Sequence, residues 1–441
     1  MNDRLSDGIH FRIKITSVQR FCYMFTPSGG EIEQACLVYG KERIELADHT
    51  QGGASGWNRN DKLRRRGNSA VRWYLAPVLV GVIVFCLLYF IPLPYYIYKP
   101  GSAENVRPMI EIKQGGQPES GSFMLTTVGV SDSNLIGYLY AKWSDIHELR
   151  PKEEVHRKGE TDREYNKRQE YNMTTSQSNA IQAAYKKAGV PYRIENTGVI
   201  VLQVLQNMPA YKILQAGDLI EDVDGHKAAA ASELTAYLQS KSPGEEVRIT
   251  FRRGTETRSE TLKLAELPAD EGTQDGKPRS GLGVTIGTLQ EVKPEDEAKQ
   301  VTVKAGNIGG PSAGLMFSLE IYNQLVEEDI TKGYQIAGTG EIDSDGNVGV
   351  IGGIQFKVVA AHRQGADIFF APEDLLPGPG ETFKPILNAT IAQEQAEKLK
   401  TGMKIVPVKT MDDALEYLKS LPPKAEASGK TAYSEPMRKG A

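Results

Sequence analysis

Three patterns of apolar and polar positions divide this chain. From Trp73 to Ile91 nineteen consecutive residues carry no charge. At about 1.5 Å per residue such a helix spans roughly 30 Å of hydrocarbon. Between residues 197 and 266 short apolar runs alternate with turn residues, the mark of a small β-rich module. From 281 to 422 strand-length and helix-length apolar patterns alternate. Strands are predicted at Leu282–Ile286, Gln300–Val303, Tyr334–Gly338, Val348–Ile351, Asp367–Phe370 and Lys404–Val408. Helices are predicted at Ser312–Glu328, Phe356–Gln364, Ile391–Lys400 and Met411–Lys419, the last opened by an N-cap signal at Thr410 with Asp413. The expected fold class is α+β: one membrane helix, a small β module and an α/β domain.

The apolar run is expected to be a transmembrane helix over 73–93, stopped by Pro92 and Pro94. Trp73 and Tyr74 flank one edge and Tyr95, Tyr96 and Tyr98 the other, as interface aromatics do. Lys62, Arg64, Arg65, Arg66 and Arg72 precede it, whereas 92–107 holds only Lys99 and Arg107 as positive charges. That bias places the N-terminus in the cytoplasm and the rest of a single-pass protein outside the cell membrane. Residues 1–68 are polar with Gly/Ser/Asn clusters, and read either as a disordered cytoplasmic segment or as a start placed upstream of the true one. Residues 94–195 read as an extracellular juxtamembrane region. It has a strand at 121–130, a charge-dense solvated stretch from Asp145 to Glu170, and a helix from Thr174 to Lys187 stopped by Gly189 and Pro191. No chemistry is visible there. The tail, 423–441, is polar.

The module at 197–266 runs from strand-like Gly198-Val199-Ile200-Val201 through Pro209-Ala210 to Ala216-Gly217-Asp218-Leu219-Ile220-Glu221-Asp222-Val223-Asp224-Gly225. A helix and a closing strand follow. Asp224-Gly225 fits a tight hairpin turn. The succession resembles a PDZ domain of the kind attached to bacterial proteases. The resemblance implies that an extended peptide is accepted as an added strand, along Gly198, Val199, Ile200 and Val201. A polar linker over 266–280 separates it from the α/β domain.

The candidate chemistry lies in that last domain. Gly309-Gly310-Pro311-Ser312-Ala313-Gly314 places one serine in a glycine-rich turn between a strand and a helix that starts at the serine. Gly310, Pro311 and Ala313 flank its hydroxyl, and backbone N–H groups there could hold an oxyanion. The G-x-S-x-G form invites a Ser-Asp-His triad. The available members would be Ser312, Asp343 or Asp345, and His362, but the domain is short for that fold and a proline follows the first glycine. A lysine serves as base instead if burial keeps its amine neutral. Lys357 has apolar neighbours in Ile354, Phe356, Val358, Val359, Ala360 and Ala361.

The Ser312 motif, then Gly338-Thr339-Gly340-Glu341-Ile342, then Gly352-Gly353-Ile354-Gln355-Phe356-Lys357 resemble the proteolytic domain of Lon proteases. The resemblance implies a serine endopeptidase with Ser312 as nucleophile, Lys357 as general base and Thr339 orienting the lysine. Gly309 departs from the acidic residue usual there. The order of membrane helix, PDZ domain and Lon-type domain is similar to that of PDZ-containing Lon-like proteases of Gram-positive bacteria, including pheromone-processing ones. Peptides or unfolded proteins are the implied substrates, and a homo-oligomer is allowed for.

Composition narrows the partners. A net charge of −4 gives no reason to expect nucleic acid. No cysteine follows Cys86 and no histidine pair has metal-ligand spacing, so neither metal nor cofactor is expected. No G-x-x-x-x-G-K-[ST] loop occurs, so cleavage without ATP is expected. The rival reading is a non-catalytic PDZ adaptor binding exported peptides.

Overall fold

In a computed structural model of the protein, residues 75, 77–86, 88–116, 118–267, 279–378 and 381–424 are described. The expected N-terminal segment (1–68), Trp73 and Tyr74, most of the linker and most of the polar tail lie outside them. Residues 77–86 and 88–90 are helical. Among the described residues no helix is long and apolar enough to cross a membrane. The apolar run also ends sooner than 93, because Pro92 already opens a strand, β1 (Pro92–Asn105). Tyr95, Tyr96 and Tyr98 therefore belong to β1, and Tyr96 is buried, donating its hydroxyl proton to Asp162 at 2.9 Å.

The main sheet is built from both ends of the described chain. Its other strands are β3 (Ser122–Asn134), β4 (Glu148–Pro151), β14 (Gln335–Gly338), β17 (Ile368–Pro372) and β18 (Lys404–Val408), in the order β18-β17-β14-β3-β1-β4. β14 runs parallel to both β3 and β17, whereas β1 is antiparallel to β3 and β4. β17 is Ile-Phe-Phe-Ala-Pro, buried throughout, as a strand covered on both faces must be. Phe123 and Leu125 of β3, on the far side of β14, are also fully buried. The region expected as a juxtamembrane stretch, 94–195, thus supplies strands and helices to the α/β domain as far as residue 191. Its charge-dense sequence hides this, because β1 alternates polar and apolar positions and one long helix carries its apolar stripe on a polar background.

After α1 (Leu135–Trp143) and α2 (Lys152–Val155), that helix is α3 (Asp162–Ala188). It begins well before the predicted Thr174. Thr161 and Glu164 form a reciprocal capping box, and Gly189 closes the far end at φ +66°. Its C-terminal half buries Ala180, Ile181, Ala183, Ala184 and Tyr185 against α5 (Gly314–Leu325). α4 (Ala231–Gln239) belongs to the second module, and α6 (Ile354–Arg363), α7 (Asn388–Leu399) and α8 (Met411–Ser420) complete the helices.

The second sheet holds β5 (Tyr192–Val204), β6 (Leu219–Val223), β8 (Glu246–Arg253), β9 (Glu256–Lys263) and β12 (Val284–Pro294), in the order β12-β5-β6-β8-β9. A short β7 (His226–Lys227) pairs with β6 through the expected turn, Asp224 and Gly225 standing at φ +52° and +82°. The strand predicted at Leu282–Ile286 falls in β12, so it belongs to this module and not to the α/β domain. The module begins and ends in one ladder: Tyr192 pairs with Pro294, and the Glu295 N–H donates to the Pro191 carbonyl at 3.0 Å. It is an insertion into the α/β domain, placed between α3 and β13 (Val301–Val303), which pairs with β2 (Ile110–Ile112).

An insertion whose ends meet can be removed. Ile194 and Val292 are ladder partners, so replacing the residues between them by Asn-Gly should leave a cooperative α/β domain. Deleting Pro92–Asn134 instead should leave no cooperative transition, because β14 then loses β3, its partner on one side, and the sheet loses β1. Thermal unfolding followed by near-UV circular dichroism reads both outcomes.

Candidate active site

Ser312 sits on a turn held from two sides. Gly310 takes φ +85°, a left-handed conformation that only glycine enters freely. Its N–H donates to the Gln169 carbonyl of α3 at 3.0 Å, and the Ser176 hydroxyl, two turns further along α3, donates to the Pro311 carbonyl at 2.7 Å. From the other side the Gly340 N–H and the Thr339 hydroxyl both donate to the Ser312 carbonyl at 2.9 Å. α5 begins at Gly314, not at the serine as predicted. Gly314 packs so closely that a Cβ would meet Ile342 and Ser176 at 2.7 Å. The N–H groups of Ser312 and Ala313 donate to no acceptor among the described residues. Both stand beside the serine hydroxyl, at the start of a helix.

Lys357 approaches from α6. Gly353, at φ +72°, turns the chain into that helix, and the lysine lies one turn in. Phe356, Val358, Val359, Ala360 and Ala361 are buried around it, and Lys357 itself is 3% exposed. Its Nζ lies 2.8 Å from the Ser312 Oγ, 3.0 Å from the Thr339 Oγ1 and 2.9 Å from the Thr126 carbonyl oxygen. No carboxylate compensates the charge, so burial pushes the amine down to about 7.

Proton counting fixes the direction of these bonds. A neutral amine has two N–H bonds and one lone pair. The Thr126 carbonyl can only accept. The Thr339 hydroxyl spends its own proton on the Ser312 carbonyl, so toward Nζ it also accepts. Both N–H bonds are then used, and the lone pair is left facing the Ser312 hydroxyl. The arrangement can take a proton from that serine.

The structure thus brings Ser312, Thr339 and Lys357 together, with Gly310, Pro311 and Ala313 around the serine. Thr126, Gln169 and Ser176 also serve the site and were not predicted. Two of the three act through main-chain carbonyls, which leave no mark in a side-chain pattern. The histidine alternative does not assemble: His362 is exposed and bonds Thr401 at 3.0 Å, Asp343 caps its own turn, and Asp345 pairs with Lys186 at 2.7 Å. Among the described residues no group of three or more His, Cys, Asp or Glu side chains is placed to hold a metal ion. A cleft of about 780 Å³ opens onto the pair, lined by Tyr98, Tyr165, Met173 and the Lys304–Gly310 loop.

The predicted peptide strand needs correction. Gly198–Val201 lie on β5, whose two edges are already taken: Ile200 pairs with Gly287 of β12 on one side and with Leu219 of β6 on the other. Strand addition requires a free edge. In this sheet the free edge beside α4 is β12. At Thr288 that edge is closed, because the Tyr171 hydroxyl of α3 donates to its carbonyl at 3.2 Å and the Ala231 N–H donates to its Oγ1 at 2.9 Å.

Comparison with known proteins places both modules. Residues 175–264 match the PDZ domain family, and residues 294–420 match the Lon protease (S16) C-terminal proteolytic domain. The Lon protease of Fusobacterium nucleatum is 36% identical over 104 residues, covering 24% of this chain and 12% of that protein. The Lon protease of Aster yellows witches'-broom phytoplasma is 32% identical over 109 residues, covering 25% of this chain and 12% of that protein. The chain therefore spans only 12% of the length of these relatives. The PDZ domain of an SdrC-like protein from Listeria monocytogenes, a solved structure, is 32% identical, covers 20% of this chain and 86% of that one, and has a TM-score of 0.18. The chain carries a PDZ domain together with a serine peptidase domain of the Lon type.

The buried amine has a measurable signature. Lys357 titrates near 7 in the folded chain and near 10.4 unfolded. Between these values the unfolded chain binds the extra proton, so stability rises with pH across that window and the full cost is present below it. Lys357→Met should be inactive yet more stable at about pH 7, by on the order of 3–4 kcal/mol. The difference should shrink as pH rises toward 10.4. Urea unfolding at several pH values checks this; a variant no more stable than the parent at neutral pH would contradict a desolvated amine.

Proposed function

We propose that this protein is a membrane-anchored, ATP-independent serine endopeptidase that cleaves exported peptides or unfolded proteins outside the cytoplasmic membrane. The observation that carries the catalytic part is the 2.8 Å separation between the Lys357 Nζ and the Ser312 Oγ. An extended segment enters the cleft and its scissile carbonyl comes to rest on Ser312. The serine oxygen attacks the carbonyl carbon as its proton passes to Lys357. The N–H groups of Ser312 and Ala313 hold the oxyanion. The ammonium then returns the proton to the departing amine, leaving an acyl-enzyme. Water, deprotonated by the same lysine, releases the acyl group.

Thr339 and Thr126 act through Lys357: they occupy its N–H bonds so that the lone pair keeps its direction. The PDZ module supplies a separate capture edge, at β12 beside α4, for an extended peptide. The absence of a phosphate-binding loop from the sequence supports hydrolysis without ATP. The anchoring reading rests on the charge-free run before Pro92 and on the basic cluster that precedes it.

The detergent-solubilised chain should hydrolyse a disordered protein such as casein without nucleotide, and its kcat/KM should rise through an apparent pKa of about 7 as the amine loses its proton. Ser312→Ala should lower the rate at least ~10³-fold. A fluorophosphonate probe should label the parent chain, a peptidyl boronate should block that labelling, and the Ser312→Ala variant should not be labelled. Undiminished hydrolysis by Ser312→Ala, or an absolute need for ATP, would overturn the corresponding part of the proposal.

A further inference from the structure

The charge-free helix delivers the chain to the folded domain at Pro92. Leu75, Val78, Leu79, Val82, Ile83 and Phe85 are all exposed, so the helix is apolar around its circumference and is left uncovered by the described residues. One hydrogen bond defines what lies at its end. The Asn134 side-chain amide donates to the Tyr89 carbonyl at 2.9 Å. Asn134 is also the ladder partner of Pro92 and the N-cap of α1, its side-chain oxygen accepting the Gly137 N–H at 2.7 Å. α1 therefore starts where the apolar helix stops.

α1 has two faces. On one, Ala141 is buried and Tyr138 packs edge-on against Tyr95, with ring centroids 5.3 Å apart. On the other, Ile136, Leu139, Tyr140 and Trp143 follow at i, i+3, i+4 and i+7, one continuous stripe. Leu139 is 54%, Tyr140 62% and Trp143 91% exposed. Leaving such a stripe in water is unfavourable by about 25 cal/mol for each Å² of apolar surface. Its composition is that of a lipid–water boundary, with amphipathic Tyr and Trp rings and Lys142 among them. At about 1.5 Å rise per residue, Trp143 lies no more than ~14 Å along the axis from the point where the apolar helix ends.

We propose that α1 is a second membrane contact: an in-plane helix whose Ile136–Leu139–Tyr140–Trp143 stripe lies in the headgroup region of the bilayer that the charge-free helix enters. The inference rests on the membrane-anchored reading above. The bilayer is favoured over a second copy of this chain because the stripe is continuous with the uncovered helix through the Asn134–Tyr89 bond. The interface aromatics expected at Tyr95, Tyr96 and Tyr98 are thereby replaced by Tyr140 and Trp143. Two contacts, one crossing and one lying flat, restrict how the α/β domain can tilt on the membrane.

The test uses the full chain in phosphatidylcholine–phosphatidylglycerol nanodiscs, with Trp57→Phe and Trp73→Phe so that Trp143 is the sole tryptophan. Expected is a blue-shifted Trp143 emission that loses most of its intensity in discs with brominated acyl chains. Leu139→Asp in the same background should restore the unquenched, solvent-like spectrum while casein hydrolysis persists. A solvent-like, unquenched Trp143 in chain that co-elutes with discs would overturn this proposal alone. Blue-shifted emission that bromine leaves untouched, and that disappears when discs hold one chain each, would assign the stripe to a second copy. Chain that fails to enter discs would overturn the anchoring reading, and this proposal with it.

Discussion

A buried lysine amine that gives up its proton near pH 7 is the constraint on which the rest of the site depends. Nothing offsets the charge at Lys357 except the option of losing it, so the fold must hold the amine away from water and supply exactly two acceptors for its hydrogens. A carboxylate nearby would restore the ammonium and abolish the lone pair. Each requirement draws on a different part of the chain: α6 provides the apolar wall, β3 the Thr126 carbonyl, and the end of β14 the Thr339 hydroxyl. β3 and β14 are adjacent and in register, and this brings the two acceptors to one point. The pocket cannot exist without the strands that precede the PDZ module.

The same dependence explains the role of α3. Gln169 and Ser176 are seven residues apart and so share a face, the one that meets the nucleophile turn. Tyr171 points the opposite way, and its hydroxyl bonds the edge strand of the inserted sheet at Thr288. Gly287 packs there so tightly that a Cβ would overlap the Tyr171 ring. One helix thus lies between the capture edge and the turn that carries Ser312. The chain also connects them directly, since β12 runs through β13 into the Lys304–Pro311 loop. Inserting a recognition module at this point fixes its edge strand relative to the cleft, which an appended module on a free linker would not do.

Much of this was legible in the sequence, and what was not has physical causes. The resemblance to the Lon proteolytic domain anticipates that Ser312, Thr339 and Lys357 meet, and the structure brings them within hydrogen-bonding distance. The Asp224–Gly225 turn was equally plain, since that backbone conformation admits few residues. Three other features were hidden. β3 pairs with β14, more than 200 positions away, and no local pattern records a distant partner. The first half of α3 is polar because it lies along a cleft and caps loops instead of filling a core. β12 follows a linker and precedes the nucleophile strand, so it read as part of the domain it leads into. Misplacing it also misplaced the peptide edge: Gly198–Val201 have the composition of a recognition strand, but a strand with two partners has no bonds to give.

The hidden connections also bear on how a chain without a visible ATP-binding loop could choose its substrates. The cleft at Ser312 is lined by the Lys304–Gly310 loop together with side chains such as Tyr98, Arg150 and Tyr165. An unfolded segment can satisfy both an edge strand at β12 and the cleft, because it has free main-chain groups along its length. A folded protein has neither free strand nor loose end, and nothing in this sequence supplies the work to unfold it. The rigid spacing that α3 imposes adds a length requirement, since a segment must reach from the open part of the β12 edge, past the closure at Thr288, to Ser312. On the proposed reading, discrimination by disorder and by length would need no energy input.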